Sequence, residues 1–219
     1  MTDANTLFAH GAACGFLARL LRPGCDRALL HRCAQDHIAE TWPPGTTGEA
    51  GRTGLALLGQ ALASLDTITL EAIEHDNTRL FLGPEAPVPM WESVWTTEER
   101  LLFADCTHAV AAAFTAAGLA PPGAWREPAD HLAFELAFLA TLLTRAGQAT
   151  AEGEPERARH DVATAAAFFA QHPDRWARSC LHEINKRADT DFYRGVALLG
   201  IDTLDALQAL LACAQDEKK

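Results

Sequence analysis

The stretch Pro128-Ala129-Asp130-His131-Leu132-Ala133-Phe134-Glu135-Leu136-Ala137-Phe138-Leu139-Ala140-Thr141-Leu142-Leu143-Thr144-Arg145-Ala146-Gly147 decides the fold class. Its proline suits the first turn of a helix, where the missing N–H has no intrahelical partner to lose. Leu132, Leu136, Leu139 and Leu143 then follow at spacings of three and four, the stripe of an amphipathic helix. Working outward, the same grammar recurs. Helices are expected over residues 6–21, 26–40, 53–64 and 69–82 on one side, and over 155–172, 174–188, 189–200 and 203–214 on the other. Thr96 and Glu99 have the spacing of a capping box, which opens a further expected helix carrying Leu101, Leu102, Phe103, Val110 and Phe114 as far as Gly118. No stretch alternates apolar and polar residues long enough to read as a strand. The expected fold is all-α, a single multi-helix bundle domain over residues 1–219, with the loop at 120–126 between N-terminal and C-terminal helical parts.

Punctuation between the helices is strong. Residues 42–48 hold two prolines and two glycines, and residues 83–89 hold three prolines, so neither segment can continue a helix. The prolines of the second segment restrict its shapes and lower the entropy that a loop loses when it binds something.

Composition narrows the function. Hydrophobic residues form 48% and charged residues 21% of the 219-residue chain, as in a folded globular protein. The start, Met1-Thr2-Asp3-Ala4-Asn5, lacks a basic segment followed by an apolar run, and no later run of about 18 residues is uninterruptedly apolar. A cytoplasmic location without stable membrane insertion is expected. The six cysteines form no C-x-x-C pair and no zinc or iron–sulfur spacing, so free thiols are expected. The net charge of −11, from 29 acidic and 18 basic side chains, would repel a nucleic-acid backbone and favour a basic partner.

Signals for catalysis are thin. There is no G-x-S-x-G elbow, no phosphate-cradling loop and no H-E-x-x-H string. The closest approach to a metal pair is His131 with Glu135, one helical turn apart, and a zinc site needs three or four ligands. No cofactor and no enzymatic activity are expected, and a small helical metal-dependent hydrolase built on that pair is the weakest reading.

Two strings stand out. One is Arg79-Leu80-Phe81-Leu82-Gly83-Pro84 with Pro89-Met90-Trp91-Glu92-Ser93-Val94-Trp95 after it; the other is Glu127-Pro128-Ala129-Asp130-His131-Leu132-Ala133-Phe134-Glu135-Leu136. Together, in this order, they resemble the TorD/DmsD family of redox-enzyme maturation chaperones. The sequence departs from that pattern at Met90, where a second proline is common, at Trp95, where tyrosine is common, and in the polar run His75-Asp76-Asn77.

The resemblance implies a chaperone that binds the twin-arginine leader and the apo-form of a molybdenum-dependent oxidoreductase before export. The alternative is a chaperone of the same fold that recognises the body of a leaderless, nitrate-reductase-type client. Leaders of this kind carry two arginines and then a moderately apolar stretch, so the receptor needs apolar walls beside acidic acceptors. Leu80, Phe81, Trp91 and Trp95 are candidates for the walls; Glu92, Glu127 and Asp130 are candidates for guanidinium contacts. His131 is expected to hydrogen-bond Asp130 or Glu135. Pro84, Ser93, Pro128 and Glu135 complete the candidate partner-binding set. Each has a local reading as well: the apolar residues as core, Glu92-Ser93 as a turn, Asp130 as an acid at a helix start. The chain is expected to be a monomer or a dimer that exchanges helices across the 120–123 loop.

Overall fold

The computed structural model describes residues 2–83, 86–120 and 127–216. Ten helices form among them and no strand does. In the first half these are α1 (Ala4–Leu20), α2 (Arg27–Gln35), α3 (Glu49–Ala63), α4 (Thr67–Phe81), the single turn α5 (Glu92–Thr96) and α6 (Asp105–Ala116). In the second they are α7 (Leu132–Ala151), α8 (Pro155–Gln171), α9 (Pro173–Arg187) and α10 (Asp191–Asp216).

Local chemistry starts five of them. Asp3, Asp26 and Asp66 cap α1, α2 and α4 by accepting from the N–H of Thr6, Leu29 and Thr69 at 3.0, 3.0 and 2.8 Å. Pro155 and Pro173 sit in the first turns of α8 and α9. Two caps come instead from distant chain. Asp202, in the middle of α10, accepts from the N–H of Gly48 at 2.7 Å and of Thr47 at 3.1 Å, closing the start of α3. Asp76 of α4 accepts from the N–H of Asp189 and Thr190 at 3.1 and 2.9 Å and from the Thr190 hydroxyl at 2.7 Å, closing the start of α10. Both carboxylates are buried, and several charge-assisted bonds make that burial tolerable.

The two halves interleave: α1 lies along α7 and α3 lies along α10. The second pair meets at Gly54 and Gly195, where a Cβ on Gly195 would stand 2.8 Å from the Gly54 carbonyl oxygen. One hydrophobic cluster runs through helices of both halves, with Trp176, Tyr193, Phe134 and Phe138 among its largest fully buried members. Residues 121–126, most of the loop expected between the halves, lie outside the described residues.

Three expectations are corrected. Residues 191–216 form one helix across the break expected between 200 and 203: Gly200 packs under Leu181, and the Thr203 hydroxyl donates back to the Leu199 carbonyl at 2.8 Å instead of capping a new start. Thr96 and Glu99 open no helix, because the Thr96 hydroxyl donates to the Glu92 carbonyl at 3.0 Å inside α5 and left-handed backbone at Arg100 and Phe103 breaks the segment that follows. Leu101, Leu102 and Phe103 are consequently exposed rather than part of a buried stripe. Residues 36–40 turn away after α2, where His37 is left-handed. Helix α10 is long and apolar enough by composition to cross a membrane, yet its apolar residues, Phe192, Val196, Leu199, Leu204 and Leu207 among them, are buried in the bundle.

Candidate functional site

The two strings quoted from the sequence meet. Leu132 N–H donates to the Met90 carbonyl at 2.8 Å and Glu92 N–H to the Asp130 carbonyl at 2.9 Å, an isolated antiparallel bridge at Trp91 and His131. A pair of helix starts is thereby held side by side. Asp130 accepts from Ser93 N–H at 2.9 Å through its carboxylate, which caps the short α5. His131 caps α7: its Nδ1 accepts from Ala133 N–H at 3.1 Å, so that nitrogen carries no proton and the neutral ring holds its hydrogen on Nε2. Burial first, and then the Arg22 charge, push the His131 pKa down to about 3. Its ring lies edge-on to Trp91, with centroids 5.7 Å apart.

Beneath the bridge sits a buried polar layer. His172, at the junction of α8 and α9, donates from Nδ1 to the Glu92 carboxylate at 2.8 Å, and Trp176 Nε1–H donates to Glu135 at 3.1 Å. Glu92, Asp130, His131 and Glu135 are each fully buried. Burial, followed by the charge of Glu92, holds the Glu135 carboxyl well above the ordinary carboxylate range, so it keeps its proton.

The candidate residues divide by depth. Leu80 and Phe81 end α4 inside the core, Phe81 edge-on to Tyr193 at 5.5 Å. Glu92, Ser93, Pro128, Asp130, His131 and Glu135 are buried, whereas Trp91, Trp95 and Glu127 are half-buried. Pro84 lies outside the described residues. The His131 ring, expected to bond Asp130 or Glu135, bonds the side chain of neither and instead takes the N–H of Ala133 in its own helix start. No group of three or more His, Cys, Asp or Glu side chains could hold a metal among the described residues. Sequence reasoning missed His172 and Trp176, whose partners lie 80 and 41 residues away in the chain.

Residues 48–182, which include both strings, match the family described as Nitrate reductase delta subunit. A protein of Haemophilus influenzae named Probable Tat proofreading chaperone DmsD is 31% identical over 130 residues, 59% of this chain and 57% of that protein. The Tat proofreading chaperone DmsD of Salmonella typhi is 32% identical over 155 residues, 70% of this chain and 69% of that one. The chain belongs to the TorD/DmsD family. The match spans less than two thirds of the Haemophilus influenzae protein. For a TorD/DmsD chain, the structure gives the two family strings a common physical purpose: each caps or braces the other, and neither is a loop standing free. The relatives bear the name of a chaperone and not of an enzyme, as the thin catalytic signals of the sequence suggest.

Proposed function

We propose that this chain is a cytoplasmic proofreading chaperone that binds the twin-arginine leader and apo-form of a molybdenum-dependent oxidoreductase, supporting cofactor insertion before export. The observation that carries the reading is the likeness to relatives named Tat proofreading chaperone, over a region that holds both strings and the bridge between them. The whole chain acts as one domain in this reading. Trp91, Trp95 and Glu127, the half-buried members of the candidate set, reach the client. Leu80, Phe81, Glu92, Ser93, Pro128, Asp130, His131 and Glu135 hold that surface from beneath. Tryptophan faces supply contact area at small entropic cost, and a net charge of −11 speeds encounter with a cationic leader.

The test is calorimetric titration of the protein with a twin-arginine leader from a molybdoenzyme of the same organism. Saturable binding is expected, weaker for a twin-lysine leader because an ammonium cannot make a bidentate contact, and weaker for Trp91→Ala. No binding to any native leader refutes it. The family's description as a nitrate reductase subunit favours a second reading, a chaperone for the body of a leaderless client. Co-purification with such a client and indifference to leaders would establish that one instead.

A further inference from the structure

Five large apolar side chains are exposed among the described residues, and three of them are consecutive: Leu101, Leu102 and Phe103, at 65, 42 and 65%. Single exposed apolar residues are ordinary, but a contiguous cluster marks a surface that something covers. The backbone keeps these side chains outside. Arg100 and Phe103 have φ values of 53° and 64°, a region that bulky residues rarely adopt. The segment is also fastened to α5. The Thr97 hydroxyl donates to the Ser93 carbonyl at 2.6 Å, Trp95 Nε1–H donates to the Pro89 carbonyl at 2.8 Å, and the Arg100 guanidinium lies over the Trp95 ring at 6.0 Å.

The charges that flank the cluster in the sequence are mostly acidic. Glu98 and Glu99 precede it and Asp105 follows it; all three are exposed and none makes an ion pair among the described residues. Arg100, the cation beside the cluster in the sequence, lies over the Trp95 ring. An apolar centre with an acidic rim fits a segment in which cations adjoin an apolar run. Glu92 and Asp130, by contrast, are fully buried and engaged with His172 and Ser93.

We propose that Leu101, Leu102 and Phe103 receive the apolar stretch of a twin-arginine leader while Glu98, Glu99 and Asp105 face its arginines, which rests on the leader-binding reading above. The loop after α5 thus joins Trp91, Trp95 and Glu127 in the contact surface, and the buried residues of the two strings are its foundation.

The test compares wild type with Leu101→Gln/Phe103→Gln in calorimetric titrations against a native leader and against one whose apolar stretch carries two serines. Circular dichroism and thermal unfolding check that the variant folds, as exposed positions should allow. The double variant is expected to bind the native leader at least tenfold more weakly, ~1.4 kcal/mol. The serine leader should bind wild type weakly and lose nothing further on the variant, because the two changes remove one contact. Separately, E98Q/E99Q should weaken binding at low salt, with the difference shrinking as salt rises. Unchanged affinity of the double variant for a leader that wild type binds overturns the inference and spares the reading. A wild type that binds no leader removes both. A wild-type dimer that dissociates in the double variant, with leader binding intact, gives the surface to a second copy and also overturns the inference.

Discussion

Glu135→Gln tests the buried polar layer most directly. In the fold the Glu135 carboxyl keeps its proton above the ordinary carboxyl value of 4.5, driven first by burial and then by the charge of Glu92. Above that pH the unfolded chain releases the proton and the folded chain retains it. The folded state therefore binds more protons, and stability falls as pH rises, by ~1.4 kcal/mol for each pH unit, until Glu135 ionises inside the fold. A glutamine there has no proton to lose. Its carbonyl still accepts from Trp176 Nε1–H, which stands 3.1 Å from Glu135, and the amide is as neutral beside Glu92 as the protonated carboxyl is. The two proteins should match in stability near the ordinary carboxyl value. The variant should then gain on wild type by ~1.4 kcal/mol per unit on the way up, before the difference levels off. Urea unfolding of both, stepped from about pH 5 to about pH 8, reads this difference, and every titration common to the two cancels. Glu135→Leu is the companion: it leaves Trp176 without an acceptor and should sit lower by about 1–3 kcal/mol with the same flattened dependence. Wild type and Glu135→Gln falling in parallel across the range would refute the account, because Glu135 would then ionise normally.

Asp76→Ala should cost about 3 kcal/mol in urea unfolding, since it removes the acceptor of two N–H groups and a hydroxyl at the start of α10 and frees Arg79 from a 2.7 Å pair. Amide exchange in the first turn of α10 should accelerate before the rest of the bundle opens. Gly195→Ala should lower stability by about 1–3 kcal/mol, because its Cβ would meet the Gly54 carbonyl oxygen at 2.8 Å and the Leu58 nitrogen at 2.9 Å, and backbone cannot step aside as a side chain can. Thermal unfolding measures it, and a value within error of wild type would show that α3 and α10 slide freely.

The helices were legible from apolar spacing and from punctuation such as Pro155, and five of the ten also carry a start signal of their own: Asp3, Asp26 and Asp66 as caps, Pro155 and Pro173 in first turns. Local signals misled where a hydroxyl had a nearer carbonyl, as at Thr96 and Thr203, since a Thr that bonds back into its own helix reads like one that starts a new helix. Caps supplied from far away left a fainter mark. Ile73, Asp76, Asn77 and Leu80 share one face of α4, and all four are buried, so a polar pair interrupts an apolar stripe. Asn77 uses that position to donate to the Tyr193 hydroxyl at 2.7 Å. Glu135 shows the same pattern between Leu132, Leu136 and Leu139, and it places the carboxyl inside before any partner is known. The partners themselves were beyond reach, because no spacing rule joins Trp91 to His131 or Glu92 to His172 across the chain.

The same short piece of chain breaks two burial rules in opposite directions. Glu92 and Ser93 are polar and buried, while Leu101, Leu102 and Phe103 are apolar and exposed. Trp95 lies between them, tied to the Pro89 carbonyl on one side and covered by Arg100 on the other. A chain under no demand but stability would reverse both, placing the leucines inside and the glutamate in water. Buried polar groups with specific partners fix one geometry where apolar packing tolerates many, and an apolar surface is useful only if it is held in a defined place. The two departures therefore belong to one arrangement. The acids and histidines beneath α5 set its position, α5 sets the loop that follows, and the loop presents the apolar side chains that a client would cover.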